Sequence, residues 1–128
     1  MAVTRLHRRL RQEALPGITP SQEAALGTIR RLGQPTLGEL AQAEQVQPPT
    51  MTRVVAALEA AGLVARRPDA SDGRVSRVEL TARGRSILDR SRSLKTAYLS
   101  RRLAGLSPEE RTRAGALADV LERLLGDA

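Results

Sequence analysis

The 128-residue chain has no cysteine, no tryptophan and no phenylalanine, and its one aromatic residue is Tyr98. Without cysteine there can be no disulfide, thiolate metal site or thiol redox chemistry. Without aromatics the core must be built from Leu, Val, Ile and Ala, which suits helix packing but furnishes a stacking pocket poorly. The single histidine, His7, stands among arginines, with nothing near it in sequence to orient it as a catalytic base. No glycine-rich phosphate loop and no pair of acids at catalytic spacing occurs either. No enzyme activity, cofactor or metal is therefore expected. No apolar run reaches the length of a membrane span, and the N-terminal MAVTRLHRRLRQE lacks the apolar stretch of a signal peptide. A soluble, cytoplasmic protein is expected.

What the chain has in excess is arginine. Lys and Arg number 21 against 14 acids, a net charge of +7, and all but Lys95 of those cations are arginine. So basic a chain suits a polyanionic partner, nucleic acid first, and the motifs below narrow this to double-stranded DNA. A GC-rich genome also writes Ala and Arg freely, so placement has to decide.

Three capping boxes punctuate the chain: Thr19-Pro20-Ser21-Gln22, Thr36-Leu37-Gly38-Glu39 and Ser107-Pro108-Glu109-Glu110. With the apolar periodicity they predict helices at 2–14, 20–32, 37–44, 48–61, 82–104 and 108–125. A β-hairpin is predicted at 63–80, where RRPDASDGRVSRVELT runs through a polar Asp-Gly tip into alternating Val78 and Leu80. In the helix at 48–61, Met51, Val54, Val55 and Leu58 form one apolar stripe. Pro49, Thr50, Arg53, Ala57 and Ala60 then point outward, with Thr52 on the flank. Such a face is small, polar and free of acid until Glu59, and suits a DNA groove. Pro48 and Pro49 rigidify its start and remove two backbone donors.

Helix, short connection, helix and charged hairpin make a winged helix-turn-helix. The expected fold is mainly α with a small β-hairpin wing, and the second helix lies in the major groove while the wing reaches the minor groove. At this point the chain resembles the MarR (multiple antibiotic resistance regulator) family of transcription factors. DGRVSRVELT, Asp72 to Thr81, matches that family's wing signature, and PPTMTRVVAALEAAGLV, residues 48–64, looks like its recognition helix.

The resemblance implies that Arg74, beside Gly73 at the wing tip, enters the minor groove and that Asp72 orients the wing through an arginine. Arg53, with Pro49, Thr50 and Thr52, belongs on the major-groove side. Thr36 starts the bracing helix, which touches phosphate, and Arg66, Arg67 and Arg77 carry the right sign for phosphate contacts. Leu80 packs under the wing and Thr81 caps the long helix. One domain, 1–128, then divides into a winged helix-turn-helix region at 18–81 and helical dimerisation regions at 1–17 and 82–128.

Two terminal stripes fit a homodimer: Val3, Leu6 and Leu10, and Leu117, Val120, Leu121, Leu124 and Leu125. The alternative is that both stripes pack inside a monomer. As a dimer the protein would read a palindromic operator as a sequence-specific regulator, and the competing reading is an architectural protein binding DNA without sequence preference. The resemblance also implies repression relieved by a small aromatic or phenolic effector, for which His7 and nearby arginines could hold a carboxylate.

Overall fold

The computed structural model describes residues 1–13, 15 and 17–126. Its elements follow in the order α1 (Ala2–Gln12), α2 (Pro20–Leu32), α3 (Leu37–Ala43), α4 (Pro48–Ala60), β1 (Val64–Pro68), β2 (Ser76–Leu80), α5 (Ala82–Ala104) and α6 (Pro108–Leu125). Helices α2, α5 and α6 have the expected bounds. Helix α1 stops at Gln12 with Glu13 as its C-cap, short of the expected end at residue 14, which itself lies outside the described residues.

Helix starts follow from the caps. In α2 the Thr19 hydroxyl accepts from the Gln22 N–H at 3.1 Å while the Gln22 carboxamide accepts from the Thr19 N–H at 3.0 Å. The same reciprocal pair opens α3 between Thr36 and Glu39, and α6 between Ser107 and Glu110. Each box satisfies donors that the first turn would leave orphaned. Helix α5 is capped by Thr81, whose hydroxyl accepts from Gly84 and donates to the Gly62 carbonyl at 2.7 Å.

Two helices stop one residue earlier than expected, for a backbone reason. After α3 the chain passes through Gln45 at φ 54°, and Val46 N–H returns to the Ala41 carbonyl at 3.0 Å. After α4 the turn passes through Gly62 at φ 75°, and Leu63 N–H returns to the Leu58 carbonyl at 2.9 Å. A left-handed residue ends the helical ladder in both places.

Helices α2, α3 and α4, the wing base and one face of α5 enclose a single apolar core. Leu26, Ile29, Leu40, Val55, Leu58, Val78 and Leu88 are essentially inaccessible to solvent. Burying each such side chain contributes about 1.5–3 kcal/mol. The two strands pair antiparallel from Val64 opposite Leu80 to Pro68 opposite Ser76, so Val64, Val78 and Leu80 face the core. Where the polypeptide leaves α2, Thr36 bridges Arg77 and the Pro35 carbonyl accepts from Val78 N–H at 2.9 Å. The wing is thereby fastened to the start of α3.

Gly84 marks the tightest approach. A Cβ there would lie 2.0 Å from the Leu63 carbonyl oxygen, so only glycine lets α5 cross the base of the wing.

The terminal helices are different. Neither α1 nor α6 buries a residue, and Val3, Leu6, Leu117, Val120, Leu124 and Leu125 are exposed while Leu10 and Leu121 are half-buried. The stripes therefore do not pack inside the monomer. Helix α1 touches α5 through Arg9, whose guanidinium lies 4.9 Å from the Tyr98 ring centroid and donates to its hydroxyl at 3.2 Å. Among the described residues no helix is long and apolar enough to cross a membrane.

Candidate nucleic-acid interface

Helix α3 and helix α4 meet through the four-residue turn 44–47. Met51, Val55 and Leu58 anchor α4 in the core, leaving Pro49, Thr52, Arg53, Ala56, Ala57 and Ala60 exposed on its other side. No acid occupies the first turn, and Thr52 donates its hydroxyl to the Pro48 carbonyl at 3.0 Å. The exposed face is therefore smooth, and Arg53 is its only charge before Glu59. Thr50, expected on this face, is half-buried instead. It lies four residues before Val54, and the two share one stripe along the wall of a cavity.

The wing is held by carboxylates. Asp69 follows β1 and accepts from the Ser71 N–H, the Ser71 hydroxyl and the Asp72 N–H at 3.1, 2.9 and 3.1 Å, which curls the tip. Its other oxygen accepts from Arg77 Nε at 2.5 Å, and Arg77 Nη1 donates to the Gln34 carbonyl at 2.9 Å. Arg77 so binds the wing tip, the second strand and the chain entering α3 together. The Asp69 carboxyl is held down to about 2 by that guanidinium, and then by the Ser71 hydroxyl and the two N–H groups. Sequence reasoning missed Asp69 because it read as one more polar residue of a turn.

At the tip, Asp72 meets Arg74 itself. It accepts from the Arg74 N–H at 3.0 Å and from the guanidinium at 3.1 and 3.3 Å, and Arg74 lowers the Asp72 pKa. The Arg74 side chain is nonetheless 92% exposed. The carboxylate thus aims a guanidinium outward from the tip rather than burying it. Gly73 is exposed beside it.

The remaining arginines differ in freedom. Arg67 is ion-paired with Glu79, which also accepts from Gln34 Nε2 at 3.0 Å. Arg66 turns back toward α4, its Nε 3.4 Å from Glu59 and lacking a hydrogen-bond partner. Thr36 spends its hydroxyl on the α3 cap.

Behind α4, and away from the exposed face of Arg53, a cavity of about 910 Å³ lies between α1, α2, α4 and α5. On its wall the buried Glu23 accepts from Ser91 at 2.8 Å and from Lys95 at 2.6 Å, and Thr28 donates to Glu44. Its lining holds no Phe, Tyr or Trp, and His7 supplies the one imidazole.

This arrangement has close counterparts. The sequence pattern of the MarR family matches residues 18–76, from the start of α2 to the first residue of β2. An HTH-type transcriptional regulator of Mycobacterium tuberculosis is 36% identical over 129 aligned positions, spanning 100% of this chain and 90% of the relative. The chain belongs to the MarR family. Membership makes it a winged helix-turn-helix transcriptional regulator that binds DNA. A second M. tuberculosis relative, named a transcriptional repressor, is 35% identical over 96 residues, 74% of this chain and 69% of the relative. Among solved structures, a mutant of Staphylococcus aureus MepR bound to an oligodeoxyribonucleotide superposes with a TM-score of 0.76 at 26% identity, over 97% of this chain and 93% of that one.

Proposed function

We propose that this MarR-family chain is a ligand-responsive repressor that binds a palindromic operator as a homodimer. The observation that carries the DNA part is the wing tip, where Asp72 holds an Arg74 guanidinium that is 92% exposed. An arginine aimed outward in this way suits a narrow minor groove, whose negative potential rewards a guanidinium. Arg53, alone on the smooth face of α4, suits a bidentate contact to guanine in the major groove. Thr52, Pro49 and Gly73 border these two, while Arg67, exposed despite its pair with Glu79, supplies the phosphate-facing margin. Arg77 acts from behind by holding the wing.

The bare faces of α1 and α6 support a dimer, since apolar side chains such as Leu117 and Leu124 lose exposure only against a second chain. A two-fold dimer places its recognition helices about one DNA turn apart, which calls for a palindrome. The relative named a repressor supports the sign, and the DNA-bound MepR supports the mode. The cavity supports the ligand response because it touches α4 through Thr50 and Val54.

The test is fluorescence anisotropy on DNA from upstream of the gene, with a shuffled duplex and Arg74→Ala beside it. Tight binding to the natural fragment alone is expected, weakened by roughly 1–3 kcal/mol in the variant with the dimer intact. Equal binding to both duplexes would support the architectural reading, and an unaffected variant would remove the wing from the interface.

A further inference from the structure

The surplus charge of the chain does not lie on the elements that read DNA. Residues 18–81 hold seven arginines and seven carboxylates, so the whole net charge of +7 comes from the terminal regions, chiefly α1 and α5. Within the wing each arginine faces a carboxylate: Arg66 with Glu59, Arg67 with Glu79, Arg74 with Asp72 and Arg77 with Asp69. Binding to DNA without regard to sequence comes from cations that neutralise phosphate. A lobe compensated in this way offers bulk DNA little attraction of its own.

Of these carboxylates Glu79 has the least to do with holding the wing in shape. Asp69 and Asp72 both accept backbone N–H groups at the tip. The hydrogen bonds of Glu79, among the described residues, come from side chains alone: one oxygen accepts from Arg67 Nε and the other from Gln34 Nε2 at 3.0 Å. Val78 and Leu80 point into the core, so the strand alternation puts Arg67, Arg77 and Glu79 together on the outer face of the wing. There the Arg67 side chain is 67% exposed and that of Glu79 only 24%. Gln34 belongs to the chain entering α3, so it fixes the carboxylate from outside the hairpin. With Nε committed to Glu79, Arg67 can offer a phosphate only its Nη groups, in one direction.

We infer that Glu79 is a positioning residue that sets specificity, lowering affinity for non-operator DNA by restraining Arg67. This rests on the place proposed for Arg67 at the phosphate-facing margin. On the operator, groove contacts by Arg53 and Arg74 fix the pose, and one phosphate meets the guanidinium held for it. On other sequences those contacts are missing and the backbone arrives in many registers. A free arginine would follow such phosphates. One tied to an anchored carboxylate does not, and the carboxylate repels the phosphates that approach it.

Fluorescence anisotropy of the full chain on the upstream fragment and on a shuffled duplex, over a range of salt, tests this. Glu79→Gln, Arg67→Gln and the double variant are compared with the parent. Glu79→Gln keeps the shape and an acceptor for Gln34 but removes the charge. It is expected to bind the shuffled duplex roughly threefold or more tighter, with a salt slope steeper by about one, and to change less on the upstream fragment. The double variant should show no such gain over Arg67→Gln. Gln34→Ala, which keeps the charge and removes only the anchor, should give a smaller gain in the same direction; it decides the matter if Glu79→Gln fails to fold.

No gain on the shuffled duplex, an equal gain on both duplexes, or a gain that persists without Arg67 overturns the inference. If Arg67→Gln alone alters neither affinity, Arg67 lies outside the interface, and the placement fails together with what is built on it. Equal binding of both duplexes by the parent fails the sequence-specific reading itself, and Glu79 then has no specificity to set.

Discussion

Replacing Gly84 with alanine tests the join between the wing and the long helix α5. The added Cβ would lie 2.0 Å from the Leu63 carbonyl oxygen. Carbon and carbonyl oxygen ordinarily approach no closer than about 3.3 Å, so α5 or the chain at Leu63 must yield by more than about 1 Å. Both sides of the contact are backbone, which leaves no flexible side chain to move aside. Overpacking a rigid site costs roughly 1–3 kcal/mol. The displacement also loosens two hydrogen bonds, Thr81 N–H to the Leu63 carbonyl at 3.1 Å and the Thr81 hydroxyl to the Gly62 carbonyl at 2.7 Å. Each contributes about 1 kcal/mol, while alanine recovers up to about 1 kcal/mol of helix propensity. The net loss is about 2–4 kcal/mol, a large share of the roughly 5–15 kcal/mol that holds a domain folded. Urea unfolding followed by far-ultraviolet circular dichroism measures it. Gly115→Ala is the control, because nothing lies within 4 Å of its absent side chain and it faces away from the Leu117–Leu124 stripe on α6. That variant should gain up to about 1 kcal/mol. If Gly84→Ala proves as stable as the parent, or gains like the control, the close crossing of α5 over the wing is wrong.

Arg53→Ala should weaken operator binding by roughly 1–3 kcal/mol and relax the preference at one base position; uniform loss across all sequences would make it a phosphate contact, as a panel of single-base operator variants would reveal. Asp69 should give the wing an acid limit. Its carboxyl is depressed from 3.8 to about 2, so its anchoring is fully present above pH 3.8 and fades as pH falls through about 2. Protection of the Asp72 and Val75 amides, relative to the unstructured rate at each pH, should fall over that interval and, in Asp69→Asn, already be low at neutral pH. Leu121→Glu should split the dimer while leaving the winged lobe folded, since Leu121 is only half-buried in the single chain; light scattering that still returns a dimer mass would move the interface off α6.

Local chemistry made most of the architecture legible. The capping boxes at Thr19, Thr36 and Ser107 announce their helices within four residues, and a helix whose start is set by such short-range bonds needs no tertiary context to be placed. The wing text placed Asp72 and Arg74 at the tip but left open which arginine Asp72 would hold. What stayed hidden depends on partners far along the chain. Asp69 gains its meaning from Arg77, which returns only after the hairpin has closed, and from Gln34 beyond it. Gly84 looks like an ordinary first-turn residue until Leu63 is known to lie above it. Thr50 illustrates a finer limit: the helical wheel separated buried from exposed faces, but a residue at the border turns either way once a cavity opens beside it.

The bonds of Arg77 carry one more consequence. By joining the wing tip to the Gln34 carbonyl, and with Val78 bonded to the Pro35 carbonyl, they make the hairpin and the two helices before it a single stiff block. Such a block cannot tune its grip by flexing one finger. It engages DNA by its pose as a whole, so in the proposed homodimer whatever releases the operator must alter the separation and tilt of two blocks. Operators with a base pair inserted between half-sites should therefore discriminate its states more sharply than changes within either half.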